Sequence, residues 1–124
     1  MATIREWSQR EAIASGWINA IGAVTDPEIG YYDGNAREYI RRHLSGDYEL
    51  LSCQGNLTLR EGEPVAHLHV VLADRQFGIT GGHLFDARVA VTVEMQITHT
   101  PAVGRSSDEQ SGLFLWNLNW EVNR

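Results

Sequence analysis

From Asp47 onwards the chain is a succession of alternating apolar and polar residues broken by tight turns, and that period of two constrains the fold more than any other feature. Strand side chains project to alternate faces, so such a segment can line a core on one side and meet solvent on the other. Residues 48–60 read as one strand, with Gly55 as a bulge. A turn at Glu61-Gly62-Glu63-Pro64 leads into another over residues 65–73. After residues 74–79 and a corner at Gly81-Gly82-His83, residues 87–98 form a further strand. There Val89, Val91 and Val93 alternate with Ala90, Thr92 and Glu94, so one face is expected to be core. Turns this short join antiparallel neighbours.

The first third reads differently. Thr3 and Glu6 have capping-box spacing, Ile4, Trp7 and Ala14 lie at roughly helical intervals, and Gly16 stops the segment, which predicts a first helix. Residues 17–24 read as a strand with small Ala20, Gly22 and Ala23, followed by a turn at Thr25-Asp26-Pro27 and a short extended piece over 29–32. Asn35 is placed to cap a second helix over 36–44, with Tyr39, Ile40, His43 and Leu44 near one face. Residues 100–112, rich in Gly, Ser, Pro and charge, are expected to be a mobile loop. Beyond it Phe114, Trp116, Leu118 and Trp120 alternate, with Leu113 and Leu115 on the opposite face. A strand apolar on both faces needs a second subunit to cover it, so an oligomer is expected. The fold class is therefore α+β: a mainly antiparallel sheet with flanking helices, in one domain spanning residues 1–124 with no internal repeat.

Composition excludes several functions. No apolar stretch approaches the ~20 residues of a membrane span, and Met1-Ala2-Thr3-Ile4-Arg5-Glu6 lacks the plan of a secretory signal, so a cytoplasmic address is expected. All ten basic residues are arginine, against sixteen acids, and the net charge of −6 repels phosphate backbones overall. Arg41-Arg42, with Arg37, is the one cluster a nucleic acid could use, and a solvated helix face is its plainer reading. The single cysteine, Cys53, cannot form an internal disulfide and is expected to be a small buried hydrophobe.

Chemistry concentrates in three histidines. His67-Leu68-His69 on a strand sends both imidazoles to one face, and His83, after two glycines that permit close backbone approach, can reach the same point from a neighbouring strand. Three neutral nitrogens would hold a divalent metal with one position open; three hydrogen-bonded packing residues are the alternative. The apolar run over 65–73 favours ligation, because uncompensated imidazoles are costly to bury. His43 and His99 lack such a setting and are read as solvated.

The succession Gly22-Ala23-Val24, Tyr48-Glu49-Leu50-Leu51-Ser52-Cys53-Gln54-Gly55-Asn56, Gly62-Glu63-Pro64, His67-Leu68-His69, Gly81-Gly82-His83-Leu84 and Val91-Thr92-Val93-Glu94 resembles the PPC (plants and prokaryotes conserved) domain, over roughly residues 4–118. The resemblance implies an α+β homotrimer, a metal site at His67, His69 and His83, and the provisional DNA-binding label that stand-alone prokaryotic members carry. Zinc is the default metal for an all-imidazole set, with nickel, copper and iron admissible. Glu94 is a candidate to orient a histidine from behind, and Asp74 a weaker one.

The chain departs from the family in three places. No Arg-Gly-Arg-Pro hook for the minor groove occurs in it. The plant partner-binding segment Gly-Arg-Phe-Glu-Ile-Leu is matched by Gly46-Asp47-Tyr48-Glu49-Leu50-Leu51, where Asp47 replaces the arginine. Members generally open on a strand before the first helix, whereas this chain enters that helix at Thr3; either the reading frame starts late or the edge strand is lacking.

Three functions follow as expectations: a trimeric metal-binding module of regulatory or ligand-binding role; a zinc enzyme in which the open position holds water and a carboxylate such as Glu94 moves protons; and a DNA-binding protein. A cupin is set aside because no glutamate lies within residues 71–74 after the histidine pair. No phosphate-gripping loop or CxxC motif competes, and no small-molecule ligand is specified.

Overall fold

A computed structural model describes residues 2–117. It contains one helix, α1 (Ala2–Arg10), and seven strands: β1 (Gly16–Asp33), β2 (Glu38–His43), β3 (Asp47–Arg60), β4 (Glu63–Ala73), β5 (Ile79–His99), β6 (Gly104–Ser107) and β7 (Phe114–Trp116). They form one mixed sheet in the order β2-β1-β5-β4-β3-β6-β7, and an additional β1–β3 pairing closes β1, β5, β4 and β3 into a ring. All contacts within that ring are antiparallel, whereas β6 runs parallel to β3.

The core lies inside the ring. Ile18 of β1, Leu57 of β3, and Leu68 and Leu72 of β4 are almost completely excluded from solvent, and each contributes about 1.5–3 kcal/mol by burial. Cys53 is buried among them, as its sequence setting predicts, and burial pushes its thiol up to about 11. Ile4 and Trp7 of α1 pack against the same core. The helix ends before the expected stop at Gly16, because Ser8 donates its hydroxyl to the Ile13 carbonyl at 2.7 Å while its own carbonyl accepts from the Ile13 amide at 2.9 Å. Thr3 sits inside α1 rather than capping it. Arg5 and Gln9 both reach Glu63 at the start of β4, at 3.2 and 2.7 Å.

The second helix over 36–44 does not form. Asp33 Oδ1 accepts the amides of Asn35 (2.8 Å) and Ala36 (3.2 Å), Arg37 takes a left-handed φ of 54°, and residues 38–43 turn back as β2 against residues 28–33. The sheet edge offered by β1 outweighs a weak local helical pattern. The expected turn at Thr25-Asp26-Pro27 is instead an irregularity within one long strand: the register to β5 slips between Thr25 and Glu28, with Asp26 at φ 49°. Asp26 donates its amide to the Gly46 carbonyl and accepts the Gly46 amide on Oδ1, both at 2.9 Å, and Arg88 pairs with its carboxylate.

Two glycines also differ in role from their sequence reading. The bulge in β3 lies between Leu50 and Ser52, and Gly55 serves close approach, since a Cβ there would stand 1.9 Å from the His67 carbonyl oxygen. The Gly81-Gly82 corner is straight strand: β5 runs through it, pairing with β4 over residues 79–83 and with β1 from His83 onwards. Val89 and Val91 are 60% and 83% exposed rather than core, while Val93 and Ile97 do pack inward. The segment over 100–112 contains β6 and is tied to the body by Leu59 donating to the Val103 carbonyl and Ser15 Oγ accepting the Val103 amide, at 2.9 and 2.8 Å. Leu118 and Trp120 lie outside the described residues. Among the described residues, no helix is long and apolar enough to cross a membrane.

Candidate metal centre

β4 alternates strictly where the histidines lie. Leu68, Val70 and Leu72 turn into the core, so His67 and His69 must share the outer face of the ring. His69 is directly opposite His83 in the β4–β5 ladder, and His83 is also opposite Gly30 of β1, so it stands where β5 leaves one neighbour for the other. That position demands glycine before it: a Cβ on Gly81 would meet the Val70 carbonyl oxygen at 2.3 Å, and one on Gly82 the Gly30 carbonyl oxygen at 2.7 Å.

The three rings face one another. Their centroids are 5.1 Å (His67–His69), 5.1 Å (His67–His83) and 5.5 Å (His69–His83) apart, and one nitrogen from each lies within 4.8 Å of the others. Nε2 of His67 and Nε2 of His69 are 3.2 Å apart. Two ligand nitrogens of a tetrahedral ion with bonds of ~2.0–2.1 Å would be separated by roughly 3.3 Å, so the pair already has the right span. Nδ1 of His83 is buried with no hydrogen-bond partner among the described residues, a state that costs free energy unless something binds there. Burial, and secondarily the neighbouring imidazoles and arginines, push His83 down to about 4. His67 is also lowered, by burial, Arg105 and His69 in that order. Both are therefore neutral at pH 7, the form that ligates.

Aromatic and cationic groups surround the cluster. Tyr39 of β2 and Phe85 of β5 flank His83 at centroid distances of 4.9 and 4.7 Å, and Arg41 lies over Phe85 at 3.7 Å. On the other side β6 brings in Arg105. It donates from Nε to Thr58 Oγ1 and from Nη2 to Asn56 Oδ1, each at 2.7 Å, and from Nη1 to the Phe114 carbonyl at 2.8 Å; Nη2 is 3.4 Å from His67 Nδ1. Tyr32 of β1 donates to the Ser111 carbonyl, linking the β6–β7 connection to the opposite wall. A cleft of about 260 Å³ opens between these walls, lined by His67, His83, Tyr39, Arg60, Arg105 and apolar residues of β4 and β7.

Other residues singled out by sequence stand elsewhere. Glu94 is exposed and opposite Ile21 of β1, eleven residues along the extended β5 from His83, on the order of 30 Å of strand. Asp74 accepts the amides of Gln76 and Gly78, each at 2.8 Å, and closes the β4–β5 turn. His43 and His99 are exposed. Arg41 and Arg42 are successive residues of a strand and so point to opposite faces; Arg41 pairs with Glu28 at 3.2 Å, and Arg37 reaches the Glu109 carbonyl at 3.4 Å. Sequence reading missed Arg105, Arg60 and Tyr39. The signal for the first was available in Asn56 and Thr58, polar residues alternating with Leu57 and Leu59, which require a partner on the outer face of β3.

The profile of the Plants and Prokaryotes Conserved (PCC) domain matches residues 1–101. No curated protein matches the chain at a significant level. Among solved structures, a plant- and prokaryote-conserved (PPC) protein from Pyrococcus horikoshii is 34% identical, with a TM-score of 0.88 over 94% of this chain and 82% of that one. A metal-containing protein from Archaeoglobus fulgidus is 38% identical, with a TM-score of 0.86 over 93% of this chain and 82% of that one. A protein from Ralstonia eutropha JMP134 that bears a provisional DNA-binding name shares the fold at 24% identity, with a TM-score of 0.86 over 94% of this chain and 82% of that one.

Proposed function

Because the chain belongs to the Plants and Prokaryotes Conserved domain family, we propose that it is a metal-binding module of regulatory or ligand-binding role, holding one divalent ion, zinc by default, on His67, His69 and His83. The observation that carries this reading is the convergence of three imidazoles, one of them with a buried nitrogen that has no partner among the described residues. A metal-containing relative at 38% identity supports it. When bound, the ion would supply Lewis-acid chemistry beside the cleft. This chain's own residues hold the imidazoles in place: Gly55, Gly81 and Gly82 allow the strands to close, and Arg105 braces β3 against β6 behind His67.

The module is proposed to act as a homotrimer. Ile21, Val89 and Val91 leave an apolar surface on β1 and β5 that is 56%, 60% and 83% exposed in a single chain, which a soluble protein covers by association. A second reading, a zinc enzyme, is favoured by one feature, the cleft that reaches His67 and His83. Glu94 is too far along β5 to serve as its proton carrier. The DNA-binding name of relatives is not extended to this chain, because Arg41 and Arg42 diverge and the net charge is −6.

Elemental analysis of untagged protein tests the proposal. Near one metal per chain in the wild type, lost in both His67→Ala and His83→Ala, is the expected result. Metal-free wild type, with unaltered melting in both variants and on adding chelator, would return these histidines to packing.

A further inference from the structure

The cleft beside the imidazoles has the opposite charge balance from the rest of the molecule. Sixteen acids outnumber ten bases in the chain, yet the cleft is lined by Arg60 and Arg105 and by no carboxylate among the described residues. Arg105 gives three of its five N–H donors to neutral acceptors, Asn56, Thr58 and the Phe114 carbonyl, which fix the guanidinium and leave its charge uncompensated. Arg60 rests over the Phe114 ring at 4.9 Å and forms no ion pair among the described residues. Two cations sharing one half-covered wall repel each other until an anion joins them.

The remaining lining selects among anions. Val65, Leu113 and Leu115 offer an apolar wall, and about 260 Å³ is room for a small molecule rather than a polymer. A guanidinium presents paired donors in a plane that matches a carboxylate.

We propose that this cleft binds a small carboxylate with an apolar body, its head group against Arg60 and Arg105 and its body against Val65, Leu113 and Leu115. The inference rests on the metal reading only in that an ion on the neighbouring imidazoles would add positive charge to the same wall; the arginines do not require it.

Calorimetric titration of benzoate into zinc-treated, untagged protein is the test, with benzyl alcohol as the uncharged control and inorganic phosphate as competitor. Saturation at one benzoate per chain is expected, with no heat from benzyl alcohol. Arg60→Gln should weaken benzoate at least tenfold with zinc content unchanged. Arg105→Gln should weaken it too; should that variant fail to fold, Arg60→Gln, an exposed residue with a single ring contact, still decides. Absence of benzoate binding, equal affinity in Arg60→Gln, or phosphate competing as well as benzoate overturns the proposal. Arg60-dependent benzoate binding in protein found to hold no zinc sustains it while refuting the metal reading. Stoichiometric zinc without benzoate binding overturns this inference alone.

Discussion

The two halves of β5 are one strand with two different surroundings. Near its start, His83 and Phe85 are half-covered by Tyr39, Arg41 and the histidines of β4, and Nδ1 of His83 is buried without a hydrogen-bond partner among the described residues. Farther along, Val89 and Val91 alternate as a core strand would, yet among the described residues they stay largely exposed. A polar cluster left incomplete is completed by a ligand; an apolar strip left bare is completed by more protein. We accordingly propose the first half as a site and the second as a seam between copies.

Four substitutions or conditions break or sharpen that contrast. His83→Ala acts on the first half alone: metal affinity should fall at least a hundredfold, about 2.7 kcal/mol, with the assembly state unaltered, as checked by competition with a chromogenic chelator alongside light scattering. Gly81→Ala acts on the junction. Its Cβ would meet backbone at 2.3 Å, so unfolding in urea should show about 2 kcal/mol lost, and metal affinity should weaken with it as His83 shifts against His69. Val91→Arg acts on the second half. Sedimentation should show wild-type protein associated and the variant at least tenfold weaker in association, about 1.4 kcal/mol, with metal content intact. A monomeric wild type would erase the contrast.

The smallest effect is one of pH. The hydroxyl and amide of Ser111 hold the Asp108 carboxyl below its ordinary 3.8, steadying the turn between β6 and β7 that borders the cleft. A depressed folded value means that this contribution is complete above 3.8 and lost as pH falls through the folded value, so exchange of the Ser111 amide should quicken only in that acid range. Asp108→Asn should quicken it slightly at neutral pH.

What the sequence makes legible is local. The alternation of Leu68, Val70 and Leu72 with His67, His69 and Val71 dictates the two faces of β4 whatever surrounds it. The pair Gly81-Gly82 announces close approach, although not that β5 passes straight through. β2 was not legible, because Tyr39, Ile40, His43 and Leu44 have helical spacing and only the free edge of β1, supplied by the fold, makes them a strand. Arg105 was hidden for a related reason: it lies amid Gly and Ser that read as loop, and its partners Asn56 and Thr58 are almost fifty residues away. Val89 and Val91 mislead because alternation marks an apolar face without reporting how much of it the rest of the fold reaches.

The closure of the ring sets how the molecule comes apart. Over residues 16–25, β1 is hydrogen-bonded to β3 on one side and to β5 on the other, so it has no edge from which to peel. Removing it means opening two ladders at once, and neither β3 nor β5 can then keep the core dry. Fraying is thus expected at α1, the edge strand β2 and the β6–β7 strands, while Ile18 and Ala20 should exchange their amides only through global unfolding. The ring and everything mounted on it, the histidines included, are lost together or not at all.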